Sequence, residues 1–281
     1  MTHISERELQ LPEAMIGKLI RIAAEDKKII SLGAGEPDFP APKEIVAYTK
    51  KIAANCSHYS PPGGRSDLKE ALVKKLKKEN RIKTFPDNVV VTAGSQEALL
   101  LAIGTAVDVA EQIIVPSPSF LAYVPTIELF DAVPVSVQLK EENNFEIIAD
   151  DVKERIDKKK TKAIIINSPA NPTGNVIRQK TLEELADLAV EHDLYIFSDE
   201  AYEKIIYDSR HVSAASLNGM DKYVVSFFTF SKSHAMCGYR LGYCVAPEKV
   251  AEAITKIHVY TSISAPTISQ LLGVKALAIG N

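Results

Sequence analysis

From about residue 89 the chain alternates short runs of apolar, mostly β-branched residues with stretches of helical periodicity. Val89–Thr92, Gln112–Val115, Val133–Val137, Ala163–Asn167, Leu194–Ser198, Tyr223–Phe228 and Tyr243–Ala246 read as strands. Most are apolar at nearly every position rather than at alternate ones, as a strand must be when both faces of its sheet are covered. The pattern predicts an α/β fold, a three-layer αβα arrangement around a mainly parallel sheet of about seven strands.

The helices between them are legible from caps and stripes. Thr181-Leu-Glu-Glu184 reads as a capping box opening a helix with Leu182, Leu185 and Leu188 on one face. Ser66 or Asp67 can cap a helix that turns Leu68, Leu72 and Leu76 inward and its lysines toward water. Asp150-Asp151 starts a pattern carried by Val152 and Ile156, and Lys158-Lys-Lys160 suits its carbonyl end. Ala98–Val107, Pro247–Tyr260 and Pro266–Ile279 also read as helices, and residues 1–30 form a separate amphipathic stretch. Gly33–Pro40 and Tyr59–Gly64 hold too many glycines and prolines for either regular element.

Composition narrows the class. A chain of 281 residues suits one large domain with part of a second. Lys+Arg 33 against Asp+Glu 36 leaves a net charge of −3, which offers no basic field for nucleic acid or an anionic membrane. The N-terminus lacks the apolar core of a signal peptide, and the longest apolar stretch, Ala98–Ala110, is too short to cross a bilayer. Three cysteines without CxxC spacing point to a reducing compartment, the cytoplasm. His58, His211, His234 and His258 lack ligand spacing, so no metal site is expected. His234 reads as a packing residue, and Cys237 and Cys244 as small core residues.

The segment Thr229-Phe-Ser-Lys-Ser-His-Ala-Met-Cys-Gly-Tyr-Arg240 directly follows an apolar strand. Lys232 there is a candidate nucleophile, because a neutral amine attacks a carbonyl. Thr229, Ser231 and Arg240 supply two hydroxyls and a guanidinium, a set suited to a phosphate dianion. Strand Ala163–Asn167 runs into Asn171-Pro-Thr-Gly174, and strand Leu194–Ser198 into Asp199-Glu-Ala-Tyr202. Open α/β sheets bind ligands at the carboxyl ends of their strands, so topology brings Asn171, Asp199, Tyr202 and Lys232 to one rim. Taken singly, Asn-Pro-Thr-Gly is a turn signal and Asp199 a helix cap. Thr92-Ala-Gly94-Ser95-Gln96-Glu97 adds a tight turn into a helix, whose free N–H groups can meet an anion. The spacing matches neither GxxxxGK[ST] nor GxGxxG, so a nucleotide loop is disfavoured.

Together these segments resemble the class I/II aminotransferases, which are fold type I enzymes dependent on pyridoxal 5′-phosphate (PLP). The motifs are Gly33-x-Gly35-Glu-Pro-Asp-Phe39, Tyr59-x-x-x-Gly63, Gly94-Ser-Gln-Glu-Ala98, Asn171-Pro-Thr-Gly174, Asp199-x-x-Tyr202 and Ser231-Lys232 through Arg240-x-Gly242. The resemblance implies that Lys232 joins PLP through an imine and shuttles a proton during catalysis. It implies that Asp199 pairs with the pyridine nitrogen, and that Tyr202 and Asn171 hydrogen-bond the ring's phenolic oxygen. Gly94, Ser95 and Gln96 of the turn, with Ser231 and Arg240, would hold the phosphate, Thr229 assisting. Phe120 would stack on the ring and Gly35 would touch the substrate carboxylate. Tyr59 would reach the phosphate of a neighbouring subunit, which makes a homodimer necessary. The implied activity is ping-pong transfer of an amino group from an L-amino acid (aspartate, aromatic or broad) to a 2-oxo acid such as 2-oxoglutarate. A PLP lyase of the same fold, or a cofactor-binding chain without turnover, stays open. The implied layout is an N-terminal arm and small-domain helix at 1–38, a large PLP-binding domain at 39–250, and helices at 251–281 leading toward a C-terminal small domain that the resemblance would require and this sequence lacks.

Overall fold

The computed structural model describes residues 3–12, 15–26, 28–33 and 35–280. All the strands read from the sequence are present, each end within two residues: β1 (Val89–Thr92), β2 (Gln112–Ser117), β3 (Val133–Gln138), β4 (Thr161–Asn167), β5 (Tyr195–Asp199), β6 (Val224–Thr229) and β7 (Gly242–Val245). They form one seven-stranded sheet in the order β1-β7-β6-β5-β4-β2-β3. β7 runs antiparallel to both β6 and β1, and the other pairings are parallel. The reversal matters for the site, because β7 begins at the rim where β1 and β6 end.

The chain-order helices are α1 (Glu6–Gln10), α2 (Met15–Glu25), α3 (Lys43–Ile52), α4 (Ser66–Lys75), α5 (Ser95–Ala106), α6 (Tyr123–Leu129), α7 (Ala149–Lys153), α8 (Gln179–His192), α9 (Phe230–Ser233), α10 (Glu248–Thr261) and α11 (Thr267–Ile279). They cover both faces of the sheet. One face packs Val90, Ile113, Ile165, Phe197, Val225 and Phe227 beneath α5, α6 and α10. The other face is divided. Ile164, Ile166, Ile196 and Val224 meet α8 in one cluster, while Val91, Phe228, Tyr243 and Val245 meet α3, α4 and α11 in a second. Alternate residues of a single strand therefore enter different cores, and each aliphatic side chain buried this way contributes about 1.5–3 kcal/mol.

Two helix starts differ from the sequence expectation. α8 begins at Gln179 with Arg178 in the cap position, so Thr181 lies inside the helix and is buried instead of closing a capping box. α4 begins at Ser66 with Arg65 in the cap position and no side-chain cap bond, so neither Ser66 nor Asp67 caps it. It turns Leu68 and Leu72 inward as expected, with Leu76 buried just past its end, but not all of its lysines reach water. Lys75 is buried, ion-paired with Glu203, and donates to Asn80 Oδ1 at 2.8 Å. The Lys158–Lys160 trio is exposed beyond the end of α7. α2 buries no residue fully, and Leu19, Ile20 and Ile22 stay exposed on it. Among the described residues no helix is long and apolar enough to cross a membrane.

Candidate active site

The carboxyl ends of β1, β2, β4, β5 and β6 open on one cavity of about 690 Å³. Strand register decides which residues meet there. Asn167 pairs with Asp199 across β4–β5, while β7 sets Gly242 between Thr229 of β6 and Thr92 of β1.

Lys232 sits on the single turn of α9, which Thr229 caps by accepting the Ser231 N–H at 3.1 Å. Its Nζ donates to the Gly35 carbonyl at 2.8 Å and lies 5.5 Å from the centre of the Tyr202 ring. Asn171 Nδ2 donates to the Tyr202 hydroxyl at 3.4 Å. Burial, and then the Asp199 carboxylate, push the Tyr202 phenol above its usual pKa.

Asp199 stands at the cavity floor. Oδ1 accepts the Ala201 N–H at 3.1 Å, the turn contact that an aspartate at a strand end makes in many proteins. Oδ2 accepts the Tyr123 hydroxyl at 2.7 Å. Burial raises the Asp199 pKa above the ordinary carboxylate value, and Glu200 adds to the rise. The Tyr123 and Ala201 contacts and the charge of Lys232 offset only part of it. Lys232 acts on this half-buried carboxylate only through its charge, and among the described residues Asp199 makes no ion pair, a state found more often at functional sites than in structural ones.

At the opposite wall the chain closes on itself around two glycines. Gly94 has φ +97°, and a Cβ there would lie 2.5 Å from the Arg240 guanidinium. A Cβ on Gly242 would strike the backbone of Gly94 and Ser95. Glycine at both positions lets β7 lie against the turn that opens α5. Arg240 Nη1 and Nη2 donate to the carbonyls of Cys237 and Ala93 at 3.1 and 3.2 Å, contacts to carbonyls rather than to carboxylates. The hydroxyls of Thr229 and Ser231 lie 3.0 Å apart beside them. A guanidinium, two hydroxyls and the amino end of a 12-residue helix converge on this corner.

Gly35, Ser95, Gln96, Phe120, Asn171, Asp199, Tyr202, Thr229, Ser231, Lys232 and Arg240 all line this cavity, and Gly94 lies directly beneath Arg240. Phe120 meets Tyr123 edge-on, with centroids 5.6 Å apart. Tyr59 is not among the lining residues and is 80% exposed. Of the two cysteines read as core, Cys244 is fully buried, with its thiol pushed up to about 12. Cys237 instead lines the cavity, with its thiol donating to the Ser231 carbonyl at 3.1 Å. His234 packs against Phe230, and burial, with Lys75 adding to it, lowers its pKa to about 4. Among the described residues no three His, Cys, Asp or Glu side chains gather as a metal site. Tyr123, Asn167, Ile16 and Ile20 reach the site or its carboxylate and were not anticipated. The signal for Tyr123 was a hydroxyl-bearing aromatic three residues beyond Phe120, just past the end of a strand.

Residues 27–278 match the family model described as aminotransferase class I and II. The chain belongs to the class I and II aminotransferases. It is 43% identical over 265 residues to an aspartate aminotransferase of Pyrococcus abyssi, covering 93% of this chain and 68% of that protein. It is 40% identical over 277 residues to an aromatic-amino-acid aminotransferase 2 of Thermococcus litoralis, covering 98% and 71%. The solved aspartate aminotransferase of Thermus thermophilus with maleate superposes with a TM-score of 0.95 at 32% identity, covering 99% of this chain and 74% of that one. The span that matches the family contains every strand of the sheet and the whole Lys232–Arg240 segment.

Proposed function

We propose that the cavity binds pyridoxal 5′-phosphate and that the protein transfers amino groups from L-amino acids to 2-oxo acids. The observation that carries this reading is the placing, in one cavity, of an amine on a strand-end turn and a half-buried carboxylate with a raised pKa and no ion pair among the described residues. The residues present fit the cofactor. The pyridinium N–H would give Asp199 its missing partner, Tyr202 and Asn171 would hold the ring's phenolic oxygen, and Phe120 would cover the ring. The corner of Gly94, Ser95, Gln96, Ser231 and Arg240, with Thr229 beside it, suits the phosphate in both charge and size.

When bound, the cofactor supplies an aldehyde that condenses with amines and a ring that accepts the electrons of a substrate carbanion. The chain's own residues do the rest. Lys232 Nζ is the amine that holds the cofactor and then carries the proton removed from the substrate Cα. The Gly35 carbonyl, 2.8 Å from that amine, orients it, and the Gly35 N–H would be the donor for the substrate carboxylate. Tyr123, donating to Asp199 Oδ2 at 2.7 Å, holds the carboxylate that would pair with the pyridine nitrogen. Tyr59 stands exposed, which suits a residue that reaches the phosphate held by a second copy, and we include a homodimer in the proposal. Three unpaired cysteines suit a reducing compartment such as the cytoplasm.

Aspartate and aromatic amino acids are the donor classes to test, since relatives named for each lie at similar identity. The purified chain supplied with PLP, 2-oxoglutarate and aspartate, phenylalanine or tyrosine is expected to form glutamate in proportion to donor consumed. Release of ammonia without glutamate would contradict amino transfer and point to a lyase.

A further inference from the structure

The turn that opens α5 contains a puzzle. Glu97 places a carboxylate in the first turn of the helix whose amino end, on the reading above, receives a phosphate dianion. Two anions at one helix terminus repel, and simple electrostatics would exclude glutamate from this position.

The contacts of Glu97 resolve it. Its side chain turns back instead of toward the cavity. Oε2 accepts the Ala93 N–H at 2.6 Å, and Oε1 accepts the Ser262 hydroxyl at 2.7 Å, from the segment that follows α10. The His258 imidazole of α10, fully buried, faces Oε2 with Nε2 at 3.3 Å. That nitrogen makes no aligned hydrogen bond of its own. His258 Nδ1 donates to the Pro62 carbonyl at 2.9 Å, in the loop that carries Tyr59.

Ala93 is therefore gripped from both sides. Glu97 holds its N–H, and Arg240 Nη2 donates to its carbonyl at 3.2 Å. The Thr92 hydroxyl donates to the Gly94 carbonyl at 2.9 Å. The positive-φ turn at Gly94 is thus fixed by an acid behind it and a base in front, at the amino end of α5, whose first residues Ser95 and Gln96 line the cavity. Burial opposes the Glu97 charge, but the His258 side chain, the Ala93 N–H and the Ser262 hydroxyl outweigh it and hold its pKa down to about 2.

We propose that Glu97, His258 and Ser262 form a polar brace that sets the geometry of the Ala93–Ser95 turn, and that affinity for the cofactor's phosphate depends on it. This inference rests on the assignment of that turn to the phosphate. Glu97, His258 and Ser262 are positioning residues, because none of them lines the cavity.

The test compares binding of PLP and of pyridoxal, which lacks the phosphate, to the purified full chain, followed by absorbance titration. Removing a repelling carboxylate should tighten phosphate binding if only charge matters, whereas removing a brace should weaken it. For Glu97→Ala the brace predicts a loss of PLP affinity of about tenfold or more, with pyridoxal affinity changed less than about twofold. Glu97→Gln keeps an acceptor for the Ala93 N–H and is expected to recover most of the loss. Ser262→Ala, at an exposed position that leaves the core intact, is expected to fall between wild type and Glu97→Ala. Unchanged or tighter PLP binding in Glu97→Ala, or an equal loss for pyridoxal, overturns the brace. A wild-type chain with no preference for PLP over pyridoxal overturns the phosphate assignment and the brace together. A wild-type preference that Glu97→Ala and Ser262→Ala both retain overturns the brace alone.

Discussion

Asp199 and Glu200 are adjacent acids at the end of one strand, and they face opposite sides of the sheet in opposite electrostatic conditions. Asp199 opens on the cavity, keeps one phenol and one backbone N–H, and has a raised pKa. Glu200 is wholly buried behind the sheet and finds more partners. His211 Nε2 lies 2.8 Å from Oε2, Ser213 donates to the same oxygen, and Ser198 donates to Oε1 at 3.1 Å. Burial opposes its charge too, yet His211, with Ser213 and Ser226 adding to it, outweighs it and its pKa falls. Asn80 extends this network by donating to Ser213 at 3.1 Å and to Glu203, which pairs with Lys75. The difference separates two uses of a buried acid. A carboxylate whose neighbours complete its hydrogen bonds ties elements together, and one left incomplete is set up for a ligand.

Substitution should split the pair cleanly. Glu200→Ala strands His211 and two hydroxyls in the interior and is expected to cost about 3–5 kcal/mol in urea denaturation. Asp199→Asn keeps the shape and removes only a charge the fold does not satisfy, so stability is expected to hold within about 1 kcal/mol of wild type. On the proposed assignment, the same variant is expected to lose about 100-fold or more in kcat/KM, because the cofactor ring would lose its counter-charge. If Asp199→Asn proves the more destabilising of the two, the contrast between the sites fails.

A smaller effect sharpens the comparison in acid. Glu97, held near 2 in the fold against an ordinary 4.5, contributes stability that is fully present above about 4.5 and is lost as pH falls toward 2. Asp199 has the opposite sign: its raised pKa means that ionisation works against the folded state above the ordinary value of 3.8. Thermal melts across this range are expected to run flatter for Glu97→Gln than for wild type, with no such flattening in Asp199→Asn. Parallel curves for all three proteins would contradict the assignment of Glu97.

The sheet was largely legible in the sequence because each strand is a nearly unbroken apolar run bounded by turn residues, a signal confined to a few positions. Strand direction was not. Nothing local distinguishes Gly242–Val245 from its parallel neighbours, and its reversal follows from the short path back from β6 through α9. The candidate site was legible where its residues fall at strand ends, as Asn171, Asp199, Tyr202 and Lys232 do. Contacts between distant segments were not: the Tyr123–Asp199 bond spans 76 residues, and no spacing rule joins Glu97 to His258. Lys75 shows the same limit, since helical periodicity cannot reveal that Glu203 waits to bury it.

The account turns on the Lys232 amine. Borohydride reduction of the PLP-treated chain, followed by peptide mass mapping, is expected to show the pyridoxyl adduct on Lys232, with no adduct there or elsewhere in Lys232→Ala. An adduct on a different lysine of the wild type, or none at all, would contradict it.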